Sequence, residues 1–188
     1  DYIRQKIEEW KTKEYINDSE YFYLIASLIE AIPYVSNIAG TYGAYLKHWD
    51  KRSFKDLELF DFDILDNKKD NLSFNQNAND LVVSISGDIL YIDPPYNHRQ
   101  YAPNYHLLET IARYDNPKIQ GVTGIRPYDD IKSQYCVKRD VLIEFEKLVK
   151  TADFKYIVVS YSTEGIMNIN DIEKVLKSYG KKETYSLT

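Results

Sequence analysis

The run Gly87-Asp88-Ile89-Leu90-Tyr91-Ile92-Asp93-Pro94-Pro95-Tyr96-Asn97 constrains this chain more than any other stretch. Ile89 to Ile92 form a continuous apolar run, which suits a strand buried on both faces of a parallel sheet. Two consecutive prolines then end the pairing, because neither carries a backbone N–H. Asp93 is therefore expected at the carboxyl end of a buried strand, where open α/β sheets place their ligands. The prolines hold the following turn extended and stiff, and Tyr96 comes next to the carboxylate. The expected product is a rigid, acceptor-rich corner with one carboxylate, proline carbonyls and an aromatic face.

The rest of the chain has the size and apolar content to build a core around that corner: 188 residues, 44% of them hydrophobic, fit one globular domain. No apolar run reaches the length of a membrane span, and no signal-peptide pattern opens the chain. A single cysteine, Cys136, excludes an internal disulfide and fits a reducing, cytoplasmic compartment. It reads as a small core residue of a helix. His98 and His106 lack a second pair of ligands at supporting spacing, so they read as hydrogen-bonding or solvated side chains and no metal site is expected. The net charge of −5 argues against a nucleic-acid partner unless the basic charge is local. Lys47, His48, Lys51 and Arg52 do cluster, with smaller foci at Lys68-Lys69 and Lys138-Arg139. The chain starts at Asp1 and its only methionine is Met167, which reads as an internal piece of a longer protein.

In order, Ile3, Ile7 and Trp10 recur at helical spacing over residues 2–14. Asn17-Asp18-Ser19 caps a second helix carrying Tyr21, Leu24, Ile25, Leu28, Ile29 and Ile32, ended by Pro33. The glycine-rich, aromatic stretch Gly40 to Tyr45 lacks the Gly-Lys-Ser/Thr of a phosphate loop. With Tyr42, Lys47, Trp49, Lys51 and Arg52 it suits backbone contacts and stacking on nucleic acid. Leu57–Ile64 and Leu72–Gln76 read as strands, and Asn77 opens a helix through Leu81, Val82 and Ile85. After the corner, Asn97, Arg99 and Tyr101 form a polar, aromatic segment suited to the same partner. A helix follows from Asn104, then a loop in which Arg126 stands on an expected DNA-facing lid. Tyr135–Val149 reads as a helix and Tyr156–Ser160 as a buried strand. A closing helix ends at Gly180, and Glu183–Leu187 alternate like a strand. Alternation of strands and helices from Leu57 onward implies an α/β fold with a mostly parallel sheet covered by helices.

DPPY after a hydrophobic strand resembles the catalytic motif of the amino-methyltransferases, in particular the adenine-N6 DNA methyltransferases of restriction–modification systems. The runs DPPYNHRQYAPNYHLLETIA, GVTGIR, YIVVSYSTEG and NIAGTYGAYLKHWDKR are similar to successive landmarks of their Dam-like group, over most of residues 20–180. The resemblance implies a Rossmann-like methyltransferase fold, S-adenosylmethionine as donor and double-stranded DNA as partner. It divides the chain into residues 1–55, a helical and basic DNA-recognition region, and residues 56–188, the catalytic portion. Asp93 and the Pro94 carbonyl would accept hydrogen bonds from a flipped-out adenine amine, Pro95 would stiffen them, and Tyr96 would stack on the base. Asn77 stands where the family usually has an acidic residue that binds the donor's adenine; Asp93 borders the same cofactor pocket. The seven glycines contain no G-x-G pair, so the family's first strand and glycine-rich donor loop are expected in a missing N-terminal part, and the fragment is expected to be inactive alone. Cytosine-N4 methylation and a noncatalytic DNA-binding remnant are the alternatives. Asp93 favours adenine over cytosine.

Overall fold

The computed structural model describes residues 1–186. In chain order its helices are α1 (Tyr2–Thr12), α2 (Asp18–Ala31), α3 (Ala78–Leu81), α4 (Tyr101–Asn104), α5 (His106–Arg113), α6 (Val141–Thr151) and α7 (Ile169–Tyr179). The strands are β1 (Ser86–Ile92) and β2 (Asp153–Val159), which pair in parallel. The result is a mixed helix-and-strand arrangement with a small parallel sheet. Two compact units form from interleaved segments: Asp1–Lys69 with Tyr101–Ile131, and Asp70–Gln100 with the chain from Lys132 onward. Among the described residues, no helix is long and apolar enough to cross a membrane.

The first unit is helical. A reciprocal capping box starts α2: Asn17 Oδ1 accepts from the Glu20 N–H at 3.0 Å, and Glu20 Oε2 from the Asn17 N–H at 2.8 Å. Such a cap contributes about 1 kcal/mol. Ile7 of α1 meets Ile25, Leu28 and Ile32 in the core, and Tyr42 joins them from the following loop. Arg4, buried in this unit, ties three helices together. Its Nε donates to the Ile111 carbonyl at 2.8 Å, Nη1 to Glu8 at 2.7 Å and Nη2 to the Tyr21 hydroxyl at 3.0 Å, and the guanidinium carbon lies 4.2 Å from the Tyr114 ring centroid. The strand expected over Leu57–Ile64 does not form. Its backbone is engaged by α2: Ser27 Oγ donates to the Phe60 carbonyl at 2.5 Å, and the Phe62 N–H donates to the Tyr23 hydroxyl at 3.1 Å. With those groups on helix side chains, no strand ladder is built.

In the second unit, β1 and β2 run in register from Ser86↔Asp153 to Ile92↔Val159. Leu90, Ile92, Ile157 and Val159 pack on a core built from Val82, Val141, Phe145, Leu148, Met167, Ile172 and Val175. The burial of β1 on both faces is not observed: Ile89 and Tyr91 are 64% and 61% exposed, because α6 and α7 cover one face only. Gly87 sits opposite Phe154, whose ring would be 3.2 Å from a Cβ at that position. The strand expected over Leu72–Gln76 is absent, and the helix opened by Asn77 stops at Leu81 rather than running through Ile85. The helix expected from Tyr135 begins at Val141, since Gln134–Cys136 instead form a single 3₁₀ turn. Gly180 has extended backbone, so it ends α7 without the left-handed cap. Glu183–Ser186 do not form a strand. Leu187, which ended that expected strand, lies outside the described residues.

Candidate functional site

The Asp93–Tyr96 corner is braced on both sides. The Ser160 N–H, just beyond β2, donates to the Ile92 carbonyl at 3.0 Å, so the parallel ladder continues to the residue before Asp93. Past the prolines, the Tyr96 carbonyl accepts from the Ile166 N–H at 2.8 Å. Pro94 is buried and Pro95 half-buried, while Asp93 and Tyr96 are exposed. The segment that makes both contacts is itself locked. The Tyr161 ring lies over Gly165, where a Cβ would come within 2.2 Å of it, and the Tyr161 hydroxyl accepts from the Met167 N–H at 3.0 Å. A carboxylate and an aromatic ring are thus displayed in the open on a backbone that cannot drift, a geometry suited to hydrogen-bonding and stacking on a planar ligand.

Asn77 belongs to the same unit. It caps α3 with its side chain, Oδ1 accepting from the Asn79 N–H at 2.8 Å, and is otherwise exposed. Asn97 Oδ1 turns back onto the Arg99 N–H at 2.9 Å, and Arg99 itself is exposed. Four residues not anticipated as functional stand around these turns: Asn79, Gln100, Ser133 and Tyr135. Gln100 pairs its carboxamide with both backbone groups of Ser133, at 2.9 and 2.8 Å. The Tyr135 hydroxyl donates to Asn79 Oδ1 at 2.7 Å, and burial, with the Glu144 charge second, pushes its pKa upward. No local pattern marks these partners, because they lie 33 and 56 residues apart.

The remaining expected residues belong to the first unit. Tyr42 is a core residue there rather than an exposed contact; its N–H donates to the Asn104 carbonyl at 2.7 Å. His106, also buried, reaches the Tyr42 carbonyl through Nε2 at 3.0 Å. A carbonyl only accepts, so Nε2 carries the proton. Beyond Tyr42 the chain turns outward. Lys47, Lys51 and Arg52 are exposed, Arg52 meeting Asp50 at 3.2 Å, and Trp49 and Phe54 stand in the open with ring centroids 6.3 Å apart. Asn37, Tyr45, Lys47, His48 and Trp49 line a shallow concavity of about 350 Å³. Tyr101 is exposed and stacks on Tyr105, with centroids 6.0 Å apart. Arg126, expected on a DNA-facing lid, is 5% exposed. Its Nη2 reaches Asp115 at 2.5 Å and its Nη1 reaches Asp115 and Thr110, so it fastens the loop to α5. The adjacent cation holds the Asp115 carboxyl below its usual range. Among the described residues, no group of three His, Cys, Asp or Glu side chains could hold a metal ion.

Residues 1–175 match the family described as D12 class N6 adenine-specific DNA methyltransferase. The type II methyltransferase M.FokI of Planomicrobium okeanokoites is 54% identical over 187 residues, 100% of this chain and 29% of that protein. The modification methylase StsI of Streptococcus sanguinis is 50% identical over 95% of this chain and 27% of its own length. The type II methyltransferase M.NlaIII of Neisseria lactamica is 44% identical over 96% of this chain and 54% of its own length. The chain thus spans between about a quarter and half of these relatives. No solved structure matches it. With the family match running from its first residue into α7, the chain belongs to the D12 class N6 adenine-specific DNA methyltransferases.

Proposed function

We propose that the polypeptide carrying this chain transfers a methyl group from S-adenosylmethionine to the exocyclic amine of an adenine flipped out of duplex DNA. The single observation that carries this reading is the braced corner, with Asp93 exposed one residue past the last rung of a parallel pair. An adenine amine is a poor nucleophile because its lone pair is delocalised into the ring. Asp93 and the Pro94 carbonyl accept from its two N–H groups, which favours a pyramidal nitrogen and stabilises the positive charge that develops there. Pro94 and Pro95 keep those acceptors fixed, so little reorganisation is needed. Tyr96 supplies a stacking face, offsetting part of the few kcal/mol needed to extrude the base.

S-adenosylmethionine supplies an electrophilic methyl group on a sulfonium. Asn77 fits its adenosyl end: Oδ1 retains a second lone pair beyond the one facing Asn79, and the amide nitrogen adds a donor at an exposed turn. The methionine end would be held by glycine-rich backbone outside this chain, in a Rossmann-like sheet that β1 and β2 would extend. The exposed Lys47, Lys51 and Arg52, with Asn97, Arg99 and Tyr101, supply phosphate and groove contacts.

The test is Asp93→Ala in the full-length polypeptide. Methyl transfer should vanish while donor binding stays within about twofold, since the carboxylate faces the amine; interactions made only in the transition state are lost from the rate and not from ground-state binding. Near-wild-type methylation would make Asp93 structural.

A further inference from the structure

One turn, Ser133 to Val137, grips both ends of the segment that carries the candidate site. At one end it holds the loop leaving the corner. Gln100 Nε2 donates to the Ser133 carbonyl at 2.9 Å, and Gln100 Oε1 accepts from the Ser133 N–H at 2.8 Å. That double pairing fixes the carboxamide orientation, because the N–H of Ser133 can face only an oxygen. Next to it, the Cys136 thiol donates to the Arg99 carbonyl at 3.3 Å.

At the other end the turn holds the start of α3. The Tyr135 hydroxyl donates to Asn79 Oδ1 at 2.7 Å, and Asn79 Nδ2 donates to the Glu144 carbonyl at 2.9 Å and to its carboxylate at 2.7 Å. Asn79 is 3% exposed with both sides of its carboxamide engaged, and its backbone N–H is the one capped by Asn77 at 2.8 Å. The Ser133 hydroxyl accepts from the Tyr135 N–H at 3.2 Å and so stiffens the turn itself. Asn79 and Gln100 lie 21 residues apart, with β1 and the corner between them, yet they bond Tyr135 and Ser133, which are two residues apart. A partly buried polar network with its members paired favours one geometry, and a missing partner leaves a costly orphan where the group left behind is buried, as Asn79 is.

We infer that this turn is a clamp that keeps the donor-adenine turn and the Asp93–Tyr96 corner in register, with Tyr135 and Gln100 as its positioning residues. The inference rests on the methyltransferase reading above, with Asn77 on the donor side and Asp93 on the amine side. Tyr135 acts through Asn79 on Asn77, so it governs donor affinity. Gln100 acts on the loop leaving the corner, so it governs the rate at saturating donor. Neither touches donor or base.

The experiment uses the full-length polypeptide with S-adenosylmethionine and an adenine-containing duplex as probes. The wild type is measured first for donor binding by calorimetry and for N6-methyladenine by nucleoside analysis. Failure there sinks the methyltransferase reading and the clamp with it. Given an active wild type, Tyr135→Phe should raise the donor Kd about five- to tenfold with the saturating single-turnover rate within about twofold, because it orphans one buried acceptor. It should also speed hydrogen exchange at the Asn79 amide in donor-free protein. Gln100→Leu should do the reverse, lowering that rate about tenfold with Kd within about twofold. Gln100→Glu, which keeps the acceptor but sets an oxygen against the Ser133 carbonyl, should behave like Gln100→Leu and replaces it if the leucine variant misfolds. Variants that lower only the thermal midpoint, with Kd, rate and exchange unmoved, overturn the clamp. So does a Tyr135→Phe protein that loses donor affinity and saturating rate together.

Discussion

Ser160 donates its backbone N–H to the carbonyl of Ile92 at 3.0 Å, directly before Asp93. The contact belongs to the backbone, so the serine hydroxyl is not needed for it. Ser160→Ala should leave methylation by the full-length polypeptide within about twofold, whereas Ser160→Pro, which removes the donor, should lower it about tenfold or more, the effect of orphaning one buried acceptor. Equal activities in the two variants would show that the rung does not matter to the corner.

The exposed cations beyond Tyr42 give a second expectation. Lys51 and Arg52 stand in solvent beside Trp49 and Phe54, and Arg52 is only partly offset by Asp50. Replacing both by Gln should weaken DNA binding alike for all sequences and reduce the slope of log K against log salt by about one to two. Filter-binding titrations over a range of salt read this directly, and an unchanged slope returns the pair to an ordinary solvated face.

Acid should loosen the first unit. Hydrogen bonds from Arg4 to Glu8 and from Arg126 to Asp115 hold both carboxyls below their usual values of 4.5 and 3.8. A depressed folded value means that the stabilisation is present above those pH values and is lost as pH falls through the lower, folded ones. Both side chains are 39% exposed, so solvent screening keeps each contribution small. Asp115→Asn should lower the thermal midpoint near neutrality, and the gap from wild type should close as the solution is acidified towards about pH 3. A gap that stays constant would mean that the pair is not linked to folding.

What could be read from the sequence was local chemistry. Pro94 and Pro95 announced the end of β1, and the Asn17-Asp18-Ser19 cluster announced the start of α2, because both signals act within a few residues. Leu57–Ile64 misled because its alternation resembles a strand while Ser27 and Tyr23, more than 30 residues away, claim its backbone groups. The Tyr135 region misled for a related reason: apolar spacing suits a helix from that point, but the turn ahead of α6 is taken up by Gln100 and Asn79. Arg126 looked like a free cation in a loop, and only the fold brings Asp115 to it. The end of the strand at the corner was legible and the network around it was not, since the bonds that tie Gln100 to Ser133 and Tyr135 to Asn79 are long-range.

Tyr96 carries the sharpest expectation. Its carbonyl is fixed by the Ile166 N–H at 2.8 Å, while the residue is 49% exposed, so the ring has a held base and an open face. Stacking of a base on such a ring contributes about 1–3 kcal/mol, and it depends on the aromatic face rather than the hydroxyl. Tyr96→Ala in the full-length polypeptide should therefore cost methylation heavily, about ten- to a hundredfold. Tyr96→Phe and Tyr96→Trp should cost little. The measurement is product nucleosides separated by mass spectrometry after reaction on duplex DNA. If Phe proves as harmful as Ala, the stacking role fails. If N4-methylcytosine replaces N6-methyladenine, the base assignment fails instead, and the two failures are told apart by the same chromatogram.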